Sequence, residues 1–124
     1  MILIFGGAYQ GKLDYALGEF GIPESEVYYC DVSTRVPTGK IIYGLENWFQ
    51  SLVDVGLDVS KKLDDFIAQN PHAIVICSDI SCGVVPIDPN QRQWREETGR
   101  ALGRVSQHAT KVVRVFCGIP TVLK

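Results

Sequence analysis

The 124-residue chain has no basic excess: 12 lysines and arginines stand against 14 aspartates and glutamates, for a net charge of −2. Partners that need a cationic face, such as nonspecific nucleic acid or an anionic membrane surface, are therefore excluded. No apolar run approaches the roughly 20 residues of a membrane span. Met1-Ile-Leu-Ile-Phe5 runs straight into Gly6-Gly7, without the basic region and longer apolar stretch of a secretory signal. The expected compartment is the cytosol. Cys30, Cys77, Cys82 and Cys117 contain no C-x-x-C pair, so they read as small buried hydrophobes rather than metal ligands. The only histidines are His72 and His108. Internal repeats, low-complexity tracts and linkers are absent. With 46% hydrophobic and 21% charged residues, residues 1–124 have the make-up and length of one folded domain.

Short apolar runs alternate with helical spacing. Ile2–Phe5, Glu26–Val32 with its Val27-Tyr28-Tyr29-Cys30 run, Ile41–Tyr43, Ala73–Cys77 and Lys111–Phe116 read as strands. A helix is expected from about Lys12 to Glu19, stopped by Gly21 and Pro23. Leu45, Trp48, Phe49, Leu52 and Val53 share one helical face, and Leu63, Phe66 and Ile67 extend or resume it up to Asn70-Pro71. Trp48 and Phe49 on that face read as core or subunit contact. Ser33–Lys40 and Ser78–Pro89 read as loops, and Asn90–Ala109 as a third helical region. Gly118-Ile119-Pro120 reads as a turn, with Thr121–Lys124 returning as an edge strand. This order predicts an α/β fold of three layers, with a mostly parallel sheet and a small antiparallel C-terminal edge.

The first strand leads into Gly6-Gly7-Ala8-Tyr9-Gln10-Gly11-Lys12, which matches the phosphate-binding pattern G-x-x-x-x-G-K between a strand and a helix. Glycines let backbone N–H groups turn inward around an anion, and the helix N-terminus adds partial positive charge. Lys12 would neutralise the outer phosphates. The next residue is Leu13, where the pattern has a hydroxyl that helps hold Mg²⁺. The competing reading is a glycine turn that binds nothing.

Asp79-Ile-Ser-Cys-Gly-Val-Val-Pro86, Arg92-Gln-Trp-Arg-Glu-Glu-Thr-Gly99-Arg100 and Val112-Val-Arg-Val-Phe-Cys-Gly118-Ile-Pro120 follow in order. Together with the glycine loop, they resemble the adenosylcobinamide kinase / adenosylcobinamide-phosphate guanylyltransferase family of cobalamin biosynthesis. The resemblance implies a P-loop domain that uses ATP or GTP with Mg²⁺. It also implies adenosylcobinamide as second ligand and a cytosolic homo-oligomer, a trimer. It assigns Gly6, Gly7, Ala8, Tyr9, Gln10, Gly11, Lys12 and Leu13 to the nucleotide loop, with Lys12 also catalytic. Asp79 falls on an acidic strand-end position with a catalytic and metal-binding role, Gly83 and Pro86 on the loop after it, and Arg92 and Arg95 on two helix-opening arginines.

Departures from the family pattern bear on activity. Tyr9 and Gln10 stand for Arg and Ser, Leu13 for the hydroxyl residue, Tyr43 for a strand-end acid, and Leu102-Gly103 for a polar pair. The short stretch Ser33–Lys40 replaces the long segment that carries the family's guanylylated histidine. Guanylyl transfer by that route lacks its nucleophile, and phosphoryl transfer lacks the hydroxyl that Leu13 replaces and the carboxylate that Tyr43 replaces. The alternative is a non-catalytic nucleotide- or corrinoid-binding or assembly protein. Each site residue also has a plain structural reading. Asp79 could cap the loop after it. Arg92 could pair with Glu96 one turn on. His72 reads as a loop residue, and His108 as a favourable charge at a helix C-terminus.

Overall fold

A computed structural model describes residues 1–80 and 87–124. Six strands form one sheet: β1 (Ile2–Gly6), β2 (Val27–Tyr29), β3 (Ile41–Tyr43), β4 (Ile74–Ser78), β5 (Lys111–Phe116) and β6 (Ile119–Val122). Among the described residues four α-helices accompany them, α1 (Lys12–Phe20), α2 (Leu45–Asp54), α3 (Val59–Gln69) and α4 (Pro89–His108), with a short 3-10 turn at Glu24–Glu26. The spatial order is β2-β3-β4-β1-β5-β6, with every neighbouring pair parallel except β5–β6. This is the expected three-layer P-loop-type α/β arrangement.

The strand pleat sorts the core. Leu3, Ile42, Val75, Cys77 and Val112 point to the face covered by α2, α3 and α4, where Trp48, Phe49, Leu63, Phe66 and Val105 meet them. Ile4, Ile41, Ile76, Val113 and Val115 point to the other face, against Ala16 of α1. Trp48 and Phe49 are at most 1% exposed, and Trp48 lies 5.5 Å from the Phe66 ring, so both belong to the core. The central strands are buried on both faces, which is why they read as continuous apolar runs.

Two boundaries differ from the sequence reading, and one that it left open is decided. The long amphipathic stretch is two helices, because Gly56 takes a left-handed φ of 73° and Asp58 caps a new start by accepting from the Ser60 and Lys61 backbone N–H groups. Helix α4 begins at Pro89, behind the cap residue Asp88, and proline is well suited to a first helical position. The C-terminal turn is Cys117-Gly118, with Ile119 and Pro120 already in β6. Both turn residues have positive φ, 51° and 75°, the two-residue hairpin geometry whose twist matches the strands. Pro120 is tolerated because β6 is an edge strand.

Candidate functional site

The glycine loop leaves the C-terminal end of β1, between β4 and β5, and enters α1. Gly6 is fixed there by space: a Cβ on it would lie 2.3 Å from the Val115 carbonyl oxygen. Gly11 caps α1 with a φ of 86°, a conformation that favours glycine. Gln10 ties the loop sideways to the β5–β6 turn. Its side-chain oxygen accepts from the Cys117 backbone N–H at 2.6 Å, and its carbonyl accepts from the Gly118 N–H at 2.8 Å. Tyr9 is fully exposed at the crest, with a φ of 59°.

Lys12, the first residue of α1, is 4% exposed, and its ammonium donates to the Gly7 carbonyl at 2.6 Å. Burial pushes it below the ordinary lysine range, while the Glu46 carboxylate pulls it back up. Leu13 packs against the Ile4 face of the core, so the position that would offer a hydroxyl contributes packing instead.

The loop borders a cavity of about 290 Å³ lined by Ala8–Asp14, Tyr43, Glu46 and Ser78. Glu46 is the residue that sequence reasoning missed. Gly44, at a φ of 81°, turns the chain from β3 directly into α2, and the first turn of α2 then carries Glu46 over the end of β4. There its carboxylate accepts from the Ser78 backbone N–H at 3.0 Å, and its carbonyl accepts from the Trp94 indole at 2.8 Å. Its electrostatic reach extends to the buried Cys30 thiol, which burial pushes up to about 12 with a further push from Glu46.

Asp79 is beside this cavity rather than on its lining. Its backbone N–H donates to the Gly6 carbonyl at 2.8 Å, and it borders a second cavity of about 590 Å³ on the α4 face, with Leu3, Phe5, Leu102, Val112 and Leu123. Leu102 and Gly103 both line that second cavity. Arg92 and Arg95, in the first two turns of α4, are not among the described residues lining the loop's cavity. Glu96 pairs with Arg100 at 3.9 Å, one turn onward, rather than back to Arg92. Cys82, Gly83 and Pro86 fall outside the described residues.

The connection 30–40 holds no helix or strand. It is pinned by the Asn70 side chain donating to the Pro37 carbonyl at 2.9 Å, and by the Ser33 N–H donating to the Ser51 hydroxyl at 3.2 Å. His72 and His108 are exposed and precede β4 and β5, at the end of the sheet opposite the glycine loop. Cys30 and Cys77 are buried as expected, whereas Cys117 is exposed on the hairpin turn because that turn projects past the core. Among the described residues no group of three or more His, Cys, Asp or Glu is placed to hold a metal ion, and no helix is long and apolar enough to cross a membrane.

Residues 40–123 match the family model described as cobinamide kinase / cobinamide phosphate guanyltransferase. The match covers β3 to β6 and leaves out the glycine loop, whose assignment stands on its own pattern and geometry. No curated protein matches the chain.

Proposed function

The chain belongs to the cobinamide kinase / cobinamide phosphate guanyltransferase family, and within it we propose that this protein binds a nucleoside triphosphate, ATP or GTP, through Gly6–Lys12. The observation that carries the reading is Lys12. A buried ammonium at the foot of a glycine loop, with a loop carbonyl as its hydrogen-bond acceptor among the described residues, is poised to exchange that carbonyl for phosphate oxygens. The loop N–H groups and the start of α1 favour the same anion.

Mg²⁺ brought in with the nucleotide fits the donor chemistry here: it takes oxygen ligands, and the loop's cavity is lined by the oxygen-bearing residues Glu46 and Ser78. When bound, it would neutralise phosphate charge. Glu46 would hold it directly or through water, while its bond from the Ser78 N–H keeps the carboxylate oriented. Asp79, on the adjoining cavity, would act at the boundary between the two. Leu13 offers no oxygen, so the metal is held less fully than a hydroxyl at that position would allow, and we read the protein as a binder first and a weak or inactive kinase. His72 and His108 are at the far end of the sheet, which supports a protein without histidine-borne guanylyl transfer. A cytosolic homotrimer and adenosylcobinamide as second ligand belong to the same proposal, by family resemblance. The second reading, a non-catalytic corrinoid-binding or assembly protein, draws on the larger apolar cavity beside Asp79.

Calorimetric titration with ATP and GTP, with and without Mg²⁺, tests the proposal. Lys12→Ala should weaken binding roughly 10- to 150-fold, the worth of one charge-assisted contact of about 1.5–3 kcal/mol. No binding by the wild-type protein overturns the proposal. Phosphate transfer to adenosylcobinamide at an ordinary kinase rate would contradict the reading of weak or absent catalysis.

A further inference from the structure

We propose that the β5–β6 hairpin end, with its Phe116–Ile119 rung, is the seat for the base of the nucleotide held by the glycine loop. The inference rests on the reading of that loop as a triphosphate site, and adds where the rest of the ligand goes.

Loop and hairpin form one surface. Gln10 accepts from both N–H groups of the turn, at Cys117 and Gly118, so the turn is held still against the loop. A Cβ on Gly11 would lie 3.4 Å from the Gly118 Cα, ordinary contact distance, so the two backbones abut. Immediately behind the turn, Phe116 and Ile119 are cross-strand partners, and they are 59% and 66% exposed. Single exposed hydrophobic residues are common and need no explanation. Here an aromatic ring and a branched aliphatic chain are paired on a rigid turn bonded to an anion-binding loop. A flat heterocycle tethered to phosphates within that loop finds at this point an apolar surface on which to stack.

The opposite flank of the loop has different chemistry. It carries the Glu46 carboxylate, Ser78 and the Tyr43 ring, whose edge-to-face contact with Tyr29 at 5.5 Å already engages it. A carboxylate beside phosphates suits a bound cation rather than an uncharged ring. The triphosphate therefore has a cationic side toward β4 and a base side toward β5–β6, with Gln10 as the residue that positions the second against the loop.

The test compares ATP, GTP and inorganic tripolyphosphate, titrated into the wild-type protein and its Phe116→Ala, Phe116→Tyr and Lys12→Ala variants. Phe116→Ala should weaken ATP and GTP by roughly 5- to 150-fold, the range of a single base–aromatic stacking contact, and leave tripolyphosphate unchanged. Phe116→Tyr should retain nucleotide affinity, and Lys12→Ala should weaken all three ligands. The base seat is overturned if Phe116→Ala leaves nucleotide affinity intact, or lowers tripolyphosphate affinity equally. It is also overturned if wild-type protein binds tripolyphosphate as tightly as nucleotide; the loop reading would survive each of these results. If the wild-type protein binds none of the three, the loop reading fails and the base seat falls with it.

Discussion

Two cavities of this domain are built from opposite materials. The smaller, about 290 Å³, is walled by loop backbone, a buried ammonium and a carboxylate. The larger, about 590 Å³, is walled mainly by Leu3, Phe5, Leu102, Val112 and Leu123, with Gly99 and Gly103 leaving room along α4. Volume alone would select the larger one. The proposal turns on the smaller, because a desolvated lysine beside a carboxylate is costly to assemble and serves no packing purpose. The strand ends on which these cavities meet are Ser78 and Asp79, adjacent in sequence and divided between the two.

The strongest way to break this contrast is at Gly6. The Gly6→Ala methyl would meet the Val115 carbonyl at 2.3 Å, and backbone cannot step aside as a flexible side chain can. Thermal unfolding should report a loss of about 1–3 kcal/mol, the usual range for overpacking. Nucleotide affinity should fall with it, because the loop is displaced from the hairpin. An unchanged melting temperature would mean that this close approach does not constrain the loop.

A smaller effect is expected at Glu46. The Glu46→Gln amide oxygen can still accept from the Ser78 N–H, so the fold should stand while the charge is gone. The increment in nucleotide affinity gained on adding Mg²⁺ should drop roughly ten-fold, about 1.4 kcal/mol, while affinity measured without Mg²⁺ should stay level or rise slightly. If the Mg²⁺ increment persists in Glu46→Gln and disappears in Asp79→Asn, the metal belongs on the other side of the boundary.

Much of this architecture is legible in the residues. Five strands, the helix stop at Gly21 and the glycine loop follow from apolar runs, punctuation and spacing. Glu46 was hidden because it sits beside Leu45 at the start of an amphipathic helix, where an acid reads as a solvated surface charge; only the tight Gly44 turn brings it over β4. The Cys117-Gly118 hairpin was obscured by Pro120, a strong turn signal that an edge strand nevertheless accepts. The break between α2 and α3 depended on whether Gly56 would interrupt or continue a helix, which apolar periodicity cannot decide. Asp79 was legible as a strand-end acid, but which cavity it borders depends on how α4 packs across the sheet.

The central claim is that binding resides in the polar cavity and not in the larger apolar one. The most direct measurement is the ATP–Mg²⁺ dissociation constant of Lys12→Ala and of Gly103→Leu, side by side with the wild-type protein. Gly103 has open space around it and lines only the larger cavity, so leucine there should occupy that cavity. The account predicts a roughly 10- to 150-fold loss for Lys12→Ala and none for Gly103→Leu. Loss in Gly103→Leu with affinity retained in Lys12→Ala would contradict it.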